Sequence, residues 1–185
     1  MADYIHAYKI LMGREFSNNP DKFIHKNKGE DSLTVAGIYR KWHPKTLDWD
    51  FVDRVISMCS GNLAMASNLI IKDVKIQAQI LQGFKAHYWD KNRLGEIVHQ
   101  NTANELFISA TNIDSKNTIK LAQKLIGVKD DGIIGNITIK YLNDYDPIAF
   151  DKEFDEIEIE NYERIAKNPR LAHNLKGWKN RARSV

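Results

Sequence analysis

Apolar residues that recur at every third and fourth position, capping residues at the breaks between those stretches, and the lack of alternating strand-type runs predict a mainly α fold. One small β-hairpin near Leu33 to Ile38 is expected beside the helices. At 185 residues the chain is long enough to bury a full hydrophobic core, as one domain or as one domain with a small subdomain.

The first helix is expected over about 2–15, with Ile5, Tyr8, Leu11 and Met12 on one face and Glu15 continuing that face. A carboxyl group there points toward the core side of a helix end. Burial among apolar neighbours would raise its pKa, as a general acid working near neutral pH requires. The alternative is a frayed helix end that leaves an exposed Glu15 beside Asn18, Asn19 and Pro20.

Further helices are expected over about 48–58, 61–87, 101–112, 115–126, 136–143, 147–166 and 169–180. Asp48 or Asp50 can cap the second, Gly61-Asn62 separates it from the third, and Ser115 caps the fifth. Gly127 stands where a left-handed residue closes a helix, and Asn168-Pro169 ends one helix and opens the next. The 61–87 stretch carries Leu69, Ile70, Val74, Ile76, Ile80, Leu81 and Phe84, an apolar surface broad enough for the central core helix. Toward the C-terminus Phe150, Phe154, Ile157, Tyr162 and Ile165, then Leu171, Leu175 and Trp178, read as an antiparallel pair closing over residues 115–143. No Pro-, Gly- or Ser-rich linker divides the chain.

With 43% hydrophobic and 28% charged residues, the composition excludes a disordered chain. The single cysteine, Cys59, excludes an internal disulfide and a cysteine-based zinc cluster. The start Met1-Ala2-Asp3-Tyr4-Ile5-His6 lacks the basic and continuous apolar stretches of a secretory signal, so synthesis in the cytoplasm without a signal peptide is expected. No apolar stretch is long enough for stable membrane insertion. Net charge is only +3, yet Lys176, Lys179, Arg181 and Arg183 follow an acidic stretch from Asp151 to Glu160. That asymmetry suits either two solvated helix faces or attraction to an anionic polymer. No nucleic-acid motif accompanies the basic end, so nucleic acid is not an expected partner.

The six histidines show no zinc spacing, and no phosphate loop or nucleophile elbow is present. The loop Asp130-Asp131-Gly132-Ile133-Ile134-Gly135 lacks the alternating oxygen ligands and distal Glu of an EF-hand, and reads as a turn between helices. Neither a metal nor a cofactor is expected.

The sequence from Glu15 through Asn19-Pro20-Asp21 to Gly29-Glu30-Asp31-Ser32-Leu33-Thr34-Val35-Ala36-Gly37-Ile38 resembles the N-terminal signature of the glycoside hydrolase family 108 muramidases, phage and bacterial lysozymes. The resemblance continues through Tyr88-Trp89-Asp90, Ala110-Thr111-Asn112, a peptidoglycan-binding-like block from Gly127 to Asn143, and Gly177-Trp178 with Asn180-Arg181. It implies a lysozyme-like helical domain with a packed C-terminal helical subdomain, divided as 1–112 and 113–185. It also implies a glycosidase acting on bacterial peptidoglycan, with Glu15 as the catalytic acid. Two departures stand out: the family commonly has two glycines after the catalytic Glu where this chain has Phe16 and Ser17, and the loop from Glu15 to Thr34 is longer.

Glycoside hydrolysis needs a proton for the leaving oxygen and a second carboxylate acting on water or on the sugar. Asp31, Glu30 and His25 are candidates for the second position, and Asp31 ranks first because it lies nearest Thr34. Thr34 supplies a hydroxyl to orient water. A solvated polar loop is the alternative for Glu30 and Asp31. Tyr39, Tyr88, Trp89 and Asn112, with Glu30, are the candidates for substrate binding, since sugars are gripped by aromatic faces and by amide or carboxylate groups. Trp42, Trp49 and Trp178 read as packing residues.

An endolysin fits these expectations: a monomer without cofactors, released to the wall by a holin-type or other route. A non-catalytic wall-binding or phage structural protein that retains the fold is the rival.

Overall fold

The chain is mainly α, with one small three-stranded antiparallel sheet among the described residues. The computed structural model describes residues 1–16, 19–27, 30–169 and 171–183, and the side chains of all of these except Glu15 and Phe16. They form two compact units, one of residues 8–87 and one of residues 1–7 with 88–185. The division expected after Asn112 falls inside the second of these, between two helices that pack on each other.

Helix α1 (Tyr4–Phe16) buries Tyr4, Ala7 and Leu11. The buried stripe is therefore set differently from the one expected: Ile5 is exposed, and Tyr8 and Met12 are half-buried. Glu15 lies four residues beyond Leu11, in the last turn.

In the 8–87 unit, β1 (Ile24–His25), β2 (Thr34–Val35) and β3 (Ile38–Tyr39) follow a short 3-10 turn at Pro20–Lys22. The expected hairpin is β2–β3; β1 adds an edge strand that the sequence did not signal. The two-residue turn Ala36-Gly37 has φ of 50° and 82°, the positive values that match the twist of a tight hairpin. Ile24, Val35 and Ile38 are register partners and all are buried, so one face of the sheet is core. The free edge of β1 is satisfied by Ser67, whose Oγ accepts from the Ile24 N–H at 2.8 Å.

Helix α2 (Trp49–Met58) is capped by Asp48, which accepts from the Phe51 N–H at 3.0 Å. The single helix expected over 61–87 is instead α3 (Leu63–Ile70), α4 (Val74–Phe84) and a π-helical turn at Lys85–Asp90. The break is chemical: Asp73 caps α4 by accepting from the Ile76 N–H at 2.8 Å, and this ends the preceding turn. Ile70, Ile76, Ile80 and Phe84 are core, whereas Leu69 and Val74 face solvent.

The other unit is built on α5 (Gln100–Asn112), in which every residue from Thr102 to Ala110 is buried. Helices α6 (Ser115–Leu125) and α8 (Pro147–Ala166) both pack on it. The cap of α6 is Asp114, which accepts from the Asn117 N–H at 2.9 Å. Ser115, the cap expected, is buried and accepts from Asn92 Nδ2 at 3.0 Å. Gly127 takes the left-handed conformation expected, with φ of 70°.

The 130–135 loop is the turn expected, and buried Gln123 holds it: its Nε2 donates to Asp131 Oδ1 and the Ile133 carbonyl, and its Oε1 accepts from the Gly132 N–H. Gly132 is required there, because its φ is 77° and a Cβ would stand 2.9 Å from the Lys116 carbonyl oxygen. Helix α7 (Asn136–Asp144) follows. The final helix, α9 (Leu175–Ala182), starts later than the 169 expected and packs on α8, with Trp178 stacked on Tyr162 at 5.2 Å.

Candidate functional site

The face of the sheet opposite its core carries His25, Thr34 and Tyr39. These are register partners across the three strands, and partners in register project to the same side. Thr34, in the middle, is buried; His25 and Tyr39 are half-buried. His25 is tied down by a 2.9 Å contact between Nδ1 and the Lys22 carbonyl.

Asp31 joins this row through Tyr39. The Tyr39 hydroxyl donates to Asp31 Oδ1 at 2.6 Å, and Lys41 Nζ donates to Oδ2 at 2.7 Å. Both donors favour the anion, Lys41 the more strongly, and they hold the Asp31 carboxyl down at about 2. The same contacts push the Tyr39 phenol and the Lys41 ammonium up. Asp31 therefore stays ionised through the neutral and mildly acidic range. Such a group can accept a proton from water or stabilise a cation, and it cannot act as the proton donor.

Glu30 does something different. Its carboxylate accepts from the Asn27 N–H at 3.3 Å and from Asn27 Nδ2 at 3.0 Å, while its own N–H donates to the Asn27 carbonyl. It closes its own loop. Glu15 is carried by α1 within the same unit; its side chain lies outside the described residues.

Tyr88, Trp89 and Asn112 belong to the other unit. Trp89 is 3% exposed and packs against Tyr4 and Phe107 at 5.5 and 5.8 Å between ring centres. That corrects its expected role in binding: its ring is core and offers no face to a ligand. Tyr88 is half-buried, and burial pushes its phenol up. Asn112 is exposed at the last position of α5.

Two residues beside the Asp31 cluster were not singled out for it by sequence. Lys41 is its cation. Trp42, expected in the packing, is 75% exposed and meets the Tyr39 ring edge to face at 5.2 Å. Farther along the same segment, the His43 and His87 rings lie 4.5 Å apart, and His87 Nε2 lies 3.2 Å from Thr46 Oγ1. Burial, and then the neighbouring His87, hold the His43 imidazole below its usual value.

Among solved structures, this architecture has a counterpart. Its fold resembles that of Brucella abortus SagA. The likeness covers 97% of this chain and 92% of that one, with a TM-score of 0.60 at 14% sequence identity. At that identity the similarity is one of fold. No protein-family model and no curated protein matches the chain.

Proposed function

We propose that the protein is a muramidase that hydrolyses the β-1,4 bond between N-acetylmuramic acid and N-acetylglucosamine in bacterial peptidoglycan. The observation that carries this reading is the Asp31 carboxylate, held ionised by Tyr39 and Lys41 beside the row that contains Thr34, in the same unit as the Glu15 end of α1. A glycosidase needs two carboxyl groups in opposite protonation states. Asp31 is suited to the anionic role. Glu15 is assigned the acidic one from the family resemblance of the sequence that follows it and from its position in the last turn of α1.

In this mechanism Glu15 gives its proton to the glycosidic oxygen as the bond from that oxygen to the anomeric carbon breaks, and the bonding pair leaves with the oxygen. The oxocarbenium-like centre is stabilised by Asp31. In the inverting form of the reaction, water attacks the anomeric carbon and passes its proton to Asp31. Glu30 is engaged with Asn27 and is assigned no chemical step. The enzyme is proposed to act as a monomer without metal or cofactor, as an endolysin made in the cytoplasm and released to the wall by a holin-type or other route. Among the described residues no helix is long and apolar enough to cross a membrane.

The test is digestion of purified peptidoglycan with identification of the new reducing ends by mass spectrometry. Muramic reducing ends are expected. Glu15→Gln should lower the rate by at least about a hundredfold, the smaller end of what a positioned general acid contributes, and Asp31→Asn should reduce it more than Glu30→Gln. No release at any pH would leave the rival, a wall-binding protein that has lost catalysis along with the two glycines replaced by Phe16 and Ser17.

A further inference from the structure

Of the four tryptophans, three are packed away: Trp49 and Trp89 are 4% and 3% exposed, and Trp178 is half-buried against Tyr162. Trp42 alone stands in solvent, 75% exposed. Val74 is as exposed as Trp42, so exposure alone assigns no use; what sets Trp42 apart is that it stands against Tyr39, which in turn holds Asp31.

The ring is also held in place. The Trp42 and His43 N–H groups both donate to the Tyr39 carbonyl, at 3.1 and 3.0 Å, closing the backbone into a turn directly after β3. The indole meets the Tyr39 ring at 89°, and Tyr39 is in turn fixed through its hydroxyl on Asp31. Downstream, Trp49 Nε1 donates to the His43 carbonyl at 3.0 Å and anchors the end of the turn to α2. A ligand that stacks on Trp42 would therefore have little side-chain freedom to freeze.

We propose that Trp42 and Tyr39 form an aromatic platform for a neutral N-acetylhexosamine ring of the glycan strand, beside the Asp31 carboxylate. The inference rests on the muramidase reading for its substrate class, and it extends that reading to a residue and a subsite. The apolar CH face of a pyranose matches an indole face. The hydroxyls and acetamido group of the sugar find an acceptor in Asp31 and a donor in Lys41. Charge favours a neutral ring: Lys41 is paired with Asp31 and Arg40 with Asp53, so neither of these two cations is left over to draw an anion. A protein partner is disfavoured by size, since a stable interface buries about 1,200–2,000 Å² in total and a single indole edged by charged groups is far smaller.

The experiment uses the full chain carrying Glu15→Gln, titrated with the tetramer of N-acetylglucosamine and followed by calorimetry and tryptophan fluorescence. Trp42→Ala on that background should weaken binding by about tenfold or more, as loss of one well-placed aromatic anchor does. Trp42→Phe should keep most of the affinity while abolishing the fluorescence change. An unchanged thermal midpoint in both variants, expected for so exposed a side chain, separates lost contact from lost fold. Equal affinity in the Trp42→Ala and parent proteins would overturn the platform, as would a ligand-induced fluorescence change that survives in Trp42→Phe. The two readings fail separately. Trp42-independent binding alongside muramic reducing ends would refute only the platform, and Trp42-dependent binding without any hydrolysis would refute only the muramidase. A Glu15→Gln chain that does not bind, together with a wild-type chain that does not cleave, would refute both.

Discussion

Truncation after Asn112 should not leave a folded N-terminal protein. Helix α5 is buried on all sides from Thr102 to Ala110, which a helix tolerates only when other elements surround it. Two of those elements, α6 and α8, lie beyond the cut. Phe107 would keep the Tyr4 and Trp89 rings. Exposure of as few as two other buried apolar side chains of α5, at about 1.5–3 kcal/mol for each, forfeits about 3–6 kcal/mol. Ser109 loses Thr118, whose hydroxyl lies 3.1 Å away in the core. A domain is held by about 5–15 kcal/mol in all, so the loss is of the order of the total.

The fragment 1–112 should accordingly be insoluble, or soluble but molten, binding a hydrophobic dye and showing no amide protection at Phe107 or Ile108 in hydrogen exchange. Peptidoglycan cleavage should be lost with it. A soluble fragment with a cooperative melt, no dye binding and protected α5 amides would refute the reasoning and restore the division at 112 and 113 as a true domain boundary.

Two further outcomes follow from the charged groups. In carbon-13 titrations Asp31 should show a midpoint of about 2, rising in Lys41→Met and less in Tyr39→Phe because the lysine is the stronger donor; a wild-type midpoint at the ordinary 3.8 would remove the anionic role assigned to it. Glu158 on α8 is buried, and burial raises its pKa above the ordinary 4.5. Between 4.5 and the raised value the native state holds a proton that the unfolded chain has lost, so stability falls as pH rises through that window. Glu158→Gln should thus raise the urea midpoint at pH 8 and bring no gain at pH 4, and a Gln variant less stable than wild type at pH 8 would contradict the assignment.

What could be read from the sequence was whatever local chemistry decides. Helix α8 appears over the residues expected because Asp146 accepts from the Ile148 and Ala149 N–H groups and Pro147 opens the first turn, all within four residues. The 61–87 stretch reads as one helix because apolar periodicity runs straight across the break, with Leu69 and Val74 as apolar as their neighbours yet facing water. Only the Asp73 cap distinguishes the two helices. Trp42 and Trp49 make the same point at the site. They are the same residue seven positions apart, one in solvent and one in the core, and the difference lies in tertiary neighbours that sequence spacing does not encode.

The Asp31 cluster lies between these cases. A tight turn at Ala36-Gly37 sets Thr34 opposite Tyr39, and counting outward along the same register brings the stretch around Asp31 toward Lys41 and Trp42. The partners of Asp31 are thus implicit in the hairpin, a stronger mark than its nearness to Thr34. His25 differs, because its place in the row depends on β1, two residues long and held at its edge by Ser67 from a helix more than forty residues downstream. Nothing local marks such a strand. The ion pair and hydrogen bond of Asp31 are written into the hairpin, whereas the third member of the row is placed by a contact that only the folded chain supplies.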